Sequence, residues 1–203
     1  MHGEKSRLFD TVVRKWLTEN PSGTIVELGA GLETQFHRLD NGTVSWVCVD
    51  LEEVIAVRGE FLAPTERCRT SRPMLATCRG LTRVEPGPVL ITAQSFLMFL
   101  LEEQVRQLVV AIIDRFPGVE IVFDTVSPAI SQKMAKGYRP TENYELPPAP
   151  WGTTSLHYCS NGMGAFQASM CRVSAQSTEP SMCLSHCSFG FRRCAPSCQL
   201  WHI

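Results

Sequence analysis

Two stretches of this chain hold residue types at spacings that could do chemistry. The first is VELGAGLET (26–34), where Gly29 and Gly31 follow directly on a β-branched, apolar run. Such a pair lets the backbone turn tightly and come close to a ligand, while the helix behind it presents its free N–H groups. Glu27 stands two residues before the first glycine, and Asp50 ends the next apolar run, where an acid can bind ribose hydroxyls. The third position of a dinucleotide-type G-x-G-x-x-G is Thr34, so the turn departs from that fingerprint. Without the two acids the same turn would read as a plain strand-to-helix connection.

The second stretch is SMCLSHCSFGFRRCAPSC (181–198). Cys183-x3-Cys187 and Cys194-x3-Cys198, with His186 or His202, are ligand types that zinc accepts. The spacing lacks the tight C-x2-C knuckle of structural sites, and no hairpin pattern supports it. The expectation is therefore no metal site, and a poorly ordered tail with incidental thiols. Six of the nine cysteines fall in the last fifty residues, yet MHGEKSRLF at the start has none of the apolar run of a signal peptide. Disulfides are accordingly not expected.

These stretches need a scaffold. A chain of 203 residues can bury a real core as one domain, or one domain plus a tail. The net charge of -1, with acids and bases mixed, gives no electrostatic reason to expect nucleic acid or an anionic membrane as partner. PVLITAQSFLMFLL (88–101) is too short to span a bilayer and is interrupted by Gln94 and Ser95. A cytoplasmic protein is expected.

Residues 7–18 place Leu8, Val12, Val13, Trp16 and Leu17 at helical spacing, and Asn20-Pro21-Ser22-Gly23 stops that helix. Strands are predicted over 24–29, 44–50, 88–94 and 119–126, and helices over 32–40, 51–62 and 101–116. Strands that are nearly all apolar and alternate with helices specify a parallel sheet covered on both faces. From about Pro147 no window holds period 2 or period 3.6, so the sheet is expected to end at VEIVFDTV.

VELGAGLETQFHRLD, WVCVDLEEVIAVRGEFL, PVLITAQSFLMFL, FPGVEIVFDT and KGYRPTENYELPPAPWG together resemble the leucine carboxyl methyltransferase family. The closest branch is the tetracenomycin-type O-methyltransferases that modify polyketides and similar small molecules. The resemblance covers about residues 5–152, with a gap at 69–83. It implies an α/β, Rossmann-like class I S-adenosylmethionine (SAM) methyltransferase fold with a doubly wound, mostly parallel sheet. It further implies SAM as cofactor and a small-molecule methyl acceptor. By resemblance Glu27, Gly29, Ala30 and Gly31 line the methionine end of the cofactor, and Asp50, with Leu51 behind it, holds the ribose. Gln94 helps close the site, and Lys5 or Arg7 grips the cofactor carboxylate. The resemblance names no base. His37, Tyr138, Tyr144 and Asp124 each have a packing or surface reading beside a functional one.

The chain departs from the family at several points. The usual L-D-T-R is Leu32-Glu33-Thr34-Gln35, and the usual A-Q-G-x-L-M-Y-L has Ser95 for its glycine and Phe99 for its tyrosine. The adenine-contacting D-L-S-W-L-D, and the strand before it, have no counterpart in RTSRPMLATCRGLTR (69–83). Codons for Ala76 to Thr82, read with each third base leading, permit Asp-Leu-Ser-Trp-Leu-Asp in order. Met182 to Arg193 likewise permits an aliphatic segment. The expectation is that residues around 70–83 and everything after Gly152 are translated out of the family's frame. A methyltransferase domain over 1–150 would then precede a Cys/Ser-rich tail over 151–203, with the sheet incomplete at its C-terminal edge. The rival functional readings are a degraded, inactive member of the family and a zinc-binding interaction module built on the tail.

Overall fold

A computed structural model of the chain describes residues 2–71, 84, 86–152 and 168–174. The first helix, α1 (His2–Glu19), starts five residues earlier than its apolar spacing requires. Phe9, Val12, Val13, Trp16 and Leu17 form its buried stripe, while Leu8, expected on that face, is 40% exposed. The correction follows from helix geometry: 9, 12, 13 and 16 share one face at i, i+3, i+4 and i+7, and 8 sits on its flank.

Five strands follow in the parallel part of the sheet: β1 (Thr24–Leu28), β2 (Ser45–Val49), β3 (Cys68–Ser71), β4 (Val89–Ala93) and β5 (Glu120–Val126). Their order is β3-β2-β1-β4-β5, so the chain runs outward from β1 to one edge and then returns to β1's other side. Every residue of β1 and β4 is buried, as expected of strands covered on both faces. Between strands run α2 (Gln35–Leu39), α3 (Glu52–Phe61) and α4 (Glu102–Arg115). Helix α4 lays Val105, Leu108, Val109, Ile112 and Ile113 on one face of the sheet, against Val26, Leu28, Val47, Ile91 and Ile121. Its start is fixed by Gln104, whose side-chain oxygen accepts from the Leu101 N–H at 2.8 Å. On the other face α1 and Phe36 of α2 pack on Ile25, Trp46, Cys48, Leu90 and Val122.

Three features correct the sequence reading. Residues 68–71 do form a strand, β3, which pairs with β2 from Trp46↔Cys68 to Val49↔Ser71. Its four residues are too short and too polar to show a periodicity. Helix α5 (Pro128–Ala135) was not anticipated, although Ser127 caps it by accepting from the Ile130 N–H at 3.4 Å and proline stands in its first turn. The sheet also does not end at β5. Strand β6 (Ala168–Ser174) pairs antiparallel along all of β5, from Glu120↔Ser174 to Val126↔Ala168. An antiparallel edge strand on an otherwise parallel sheet is a common arrangement of doubly wound folds. The 72–83 segment and the zinc candidates Cys183, His186, Cys187, Cys194, Cys198 and His202 lie outside the described residues. Among the described residues no helix is long and apolar enough to cross a membrane.

Candidate functional site

In open α/β sheets the crevice beyond the carboxyl ends of the strands, where the winding reverses, is the place for a ligand. Here the reversal lies between β1 and β4. The turn after β1 is built for close approach. Gly29 and Gly31 have φ of 65° and 47°, a region that side chains disfavour. A Cβ on Gly29 would lie 2.6 Å from Phe96, so this position needs glycine for space as well as for conformation. A Cβ on Gly31 would meet nothing within 4 Å, which leaves open space over that residue.

Asp50, just past β2, ties the turn down. Its Oδ2 accepts from the Gly31 N–H and its Oδ1 from the Leu51 N–H, both at 2.7 Å. The Gly29 N–H donates to the Val49 carbonyl at 2.9 Å. Leu51 itself is 54% exposed at the start of α3 and contributes its backbone.

Glu27 is the fourth residue of β1. It is buried, with Trp46 Nε1 donating to its Oε2 at 3.2 Å and the Cys48 thiol at 3.6 Å. It shares a sheet face with Ile25. Burial pushes this carboxyl up to about 7, against the opposing pull of the Trp46 bond and of Arg58.

On the β4 side Gln94 and Ser95 follow the strand. Gln94 Nε2 donates to Ser6 Oγ at 3.3 Å, and Ser6 Oγ donates to Glu33 Oε2 at 3.3 Å. Ser95 adopts φ of 53°, the left-handed conformation that glycine takes without strain. Its N–H donates to Asp124 Oδ1 at 2.5 Å. Asp124, two residues inside the end of β5, is a further member of the site. Lys5 completes the group, donating to Asp124 Oδ2 at 2.6 Å and to Ser95 Oγ at 2.8 Å. Between the two basic candidates of the first helix, the structure brings Lys5 to the crevice and leaves Arg7 exposed. His37 packs edge-on against Phe36, ring centroids 5.3 Å apart, on a solvent-facing side of α2. Tyr144 is 54% exposed.

A residue the sequence reading passed over is Arg58 of α3. It is 1% exposed, and its Nη1 donates to the carbonyls of Gly31 and Glu33, each at 2.8 Å. A buried arginine is rare enough to signal a role, but nothing in its spacing announces burial. Among the described residues there is no group of three or more His, Cys, Asp or Glu side chains arranged to hold a metal.

The arrangement sets an ammonium paired with Asp124, an open glycine turn and the Asp50 carboxylate at the carboxyl ends of the strands. That donor set suits a ligand with an anionic end and a ribose, as SAM has.

No family model matches the chain. It is 25% identical over 126 residues to the tetracenomycin polyketide synthesis O-methyltransferase of Streptomyces glaucescens, a match covering 61% of this chain and 47% of that protein. The chain thus spans about half the length of that relative. Its structure is similar to that of an O-methyltransferase family protein from Burkholderia thailandensis, with a TM-score of 0.54 and 17% identity over 86% of this chain and 57% of the other. The strand order and this likeness place the chain in the fold of the class I SAM-dependent methyltransferases.

Proposed function

We propose that the chain binds SAM at the β1–β4 crevice and serves methyl transfer to a hydroxyl or carboxyl oxygen of a small molecule. The observation that carries this reading is that Lys5, the Gly29–Gly31 turn and Asp50 all stand at the carboxyl ends of the strands, Lys5 beside β4 and β5 and Asp50 bonded to the turn after β1. Similarity to the Streptomyces glaucescens O-methyltransferase supports it. Lys5 would hold the cofactor carboxylate, Asp50 the ribose hydroxyls, and the backbone of residues 29–31 the methionine arm. SAM, when bound, would supply a sulfonium methyl for an acceptor oxygen, the S–CH3 bond breaking as O–CH3 forms and S-adenosylhomocysteine leaving. The protein's share is to fix the two reactants against each other and keep water away, and most of the acceleration comes from that positioning. Similarity to an O-methyltransferase of polyketide synthesis supports a polyketide-like acceptor. Incorporation of labelled methyl from SAM into a panel of small phenols and carboxylic acids tests the transfer step. Saturable incorporation is expected; SAM binding without any incorporation would reject transfer.

We also propose that residues around 70–83 and everything after Gly152 are read out of the family's frame. The codon permissions described above support it, while β6 shows that the tail still contributes one strand. Sequencing the gene across codons 65–90 and 150–203 tests it. Close relatives aligning in frame without an indel would reject it.

A further inference from the structure

Helix α3 has ten residues, and the one it buries is a charged one, Arg58. Of its apolar side chains, Val57 and Phe61 are 47% and 70% exposed, and Val54 and Ile55 are half-buried. A helix this short gains little from propensity and ordinarily docks through an apolar face. Here the one fully buried side chain is a guanidinium. Arg58 Nη1 donates to Gly31 O and Glu33 O at 2.8 Å each, and lies 3.5 Å from Ala30 O. These are three carbonyls of the turn whose N–H side is held by Asp50. Asp50 and Arg58 stand at opposite ends of one short connection, before and inside the same helix.

A turn with two glycines at positive φ has more freedom than any other residue pair would allow, and an unrestrained turn loses that freedom on binding. Two restraints from one element remove it beforehand. The carbonyls also need a donor, because buried C=O groups left unpaired are costly. A guanidinium fits this task better than an ammonium, since its donors are fixed in a plane and it stays charged when buried. Its charge is not isolated: Glu27 and Cys68 lie beside it under the turn.

We infer that Arg58 is a positioning residue for the cofactor turn, holding the carbonyls of Gly31 and Glu33 so that the backbone of 29–33 is already in its binding conformation in the free protein. This rests on the proposed SAM site for its consequence, but the hold on the turn is a property of the free chain. The role differs from that of Lys5 and Asp50, which would touch the cofactor themselves.

The test uses the full chain and Arg58→Lys, which keeps the charge opposite Glu27 and so favours folding. Amide hydrogen exchange is read without ligand. Exchange across 29–33 is expected to rise roughly tenfold or more in the variant, with α4 and β5 unchanged, the scale expected for losing one charge-assisted bond. Calorimetry with S-adenosylhomocysteine is then expected to show roughly tenfold weaker binding for the same reason. Unchanged exchange over 29–33 would overturn the inference, as would exchange raised uniformly through the sheet. Wild-type protein that binds no S-adenosylhomocysteine would reject the SAM site while the exchange arm still decides the role of Arg58. Faster exchange with unaltered affinity in a wild type that does bind would overturn the claim that the hold matters for the cofactor.

Discussion

Lys5 Nζ stands 2.6 Å from Asp124 Oδ2, joining the first turns of α1 to the fifth strand across 119 residues of sequence. The aspartate side chain is 2% exposed and the lysine side chain 22%, so the pair is sheltered yet open at the crevice. The same lysine reaches Ser95 Oγ, which makes one ammonium the meeting point of α1, β4's end and β5. That placement is what turns a basic residue near the start of the chain into a candidate cofactor ligand.

If Lys5 holds the anionic end of the ligand, Lys5→Met should weaken S-adenosylhomocysteine binding by at least roughly tenfold, the scale of one lost charge-assisted bond. Arg7→Met should stay within about twofold, because exposed charges contribute little. Calorimetric titration of both variants checks the pair. Equal losses in both would show that net positive charge, and not Lys5, is what matters.

Ser95 holds the left-handed conformation where the resembling family has glycine. Ser95→Gly and Ser95→Ala both lose the hydroxyl that accepts from Lys5, so their difference isolates the backbone. The glycine variant should be more stable than the alanine variant by about 1 kcal/mol, the usual cost of a side chain at positive φ. Urea midpoints report it; an alanine variant as stable as the glycine one would mean that the strain is absent.

Glu27 is raised by burial to about 7 from an ordinary 4.5. The folded protein therefore holds this proton more tightly than the unfolded chain. The associated stability is complete below about pH 4.5 and is lost as pH rises through about 7, amounting to about 3 kcal/mol at the alkaline end. Glu27→Gln should remove this descent, leaving a flatter stability profile between pH 5 and 8. A variant whose profile still falls as steeply would place the titration elsewhere.

The two glycines of the turn should respond differently to alanine. Gly31→Ala meets open space and pays for conformation alone, about 1 kcal/mol. Gly29→Ala adds a collision with Phe96 at 2.6 Å and should cost about 2 kcal/mol more. Denaturant unfolding of both variants measures the gap, and equal costs would mean that Phe96 swings aside freely.

The strands of the central sheet were legible because β1, β2, β4 and β5 are short β-branched runs buried on both sides, a pattern that needs no tertiary knowledge. The Gly29–Gly31 turn and Asp50 were legible for the same reason, since strand ends fix where they stand. What escaped depended on contacts between distant residues. Strand β3 has too few apolar residues to declare itself, and it exists because β2 offers an edge to pair with. Strand β6 is alternately small, polar and apolar, and it is specified by the edge of β5 and not by its own pattern. Arg58 looks like any solvent-facing arginine of an amphipathic helix until the carbonyls of the turn are seen above it. That Lys5 meets Asp124 while Arg7 is exposed likewise needed the direction in which α1 faces the sheet.

The central claim is that the β1–β4 crevice takes SAM through the Gly29–Gly31 turn and Asp50. Isothermal titration of the full chain with SAM, alongside Asp50→Ala, tests it most directly. The account predicts saturable heat with a Kd below about 1 mM, the ordinary range for an enzyme and its small-molecule ligand, and loss of that heat in the variant. No heat at millimolar SAM, or binding that Asp50→Ala leaves unchanged, would contradict it.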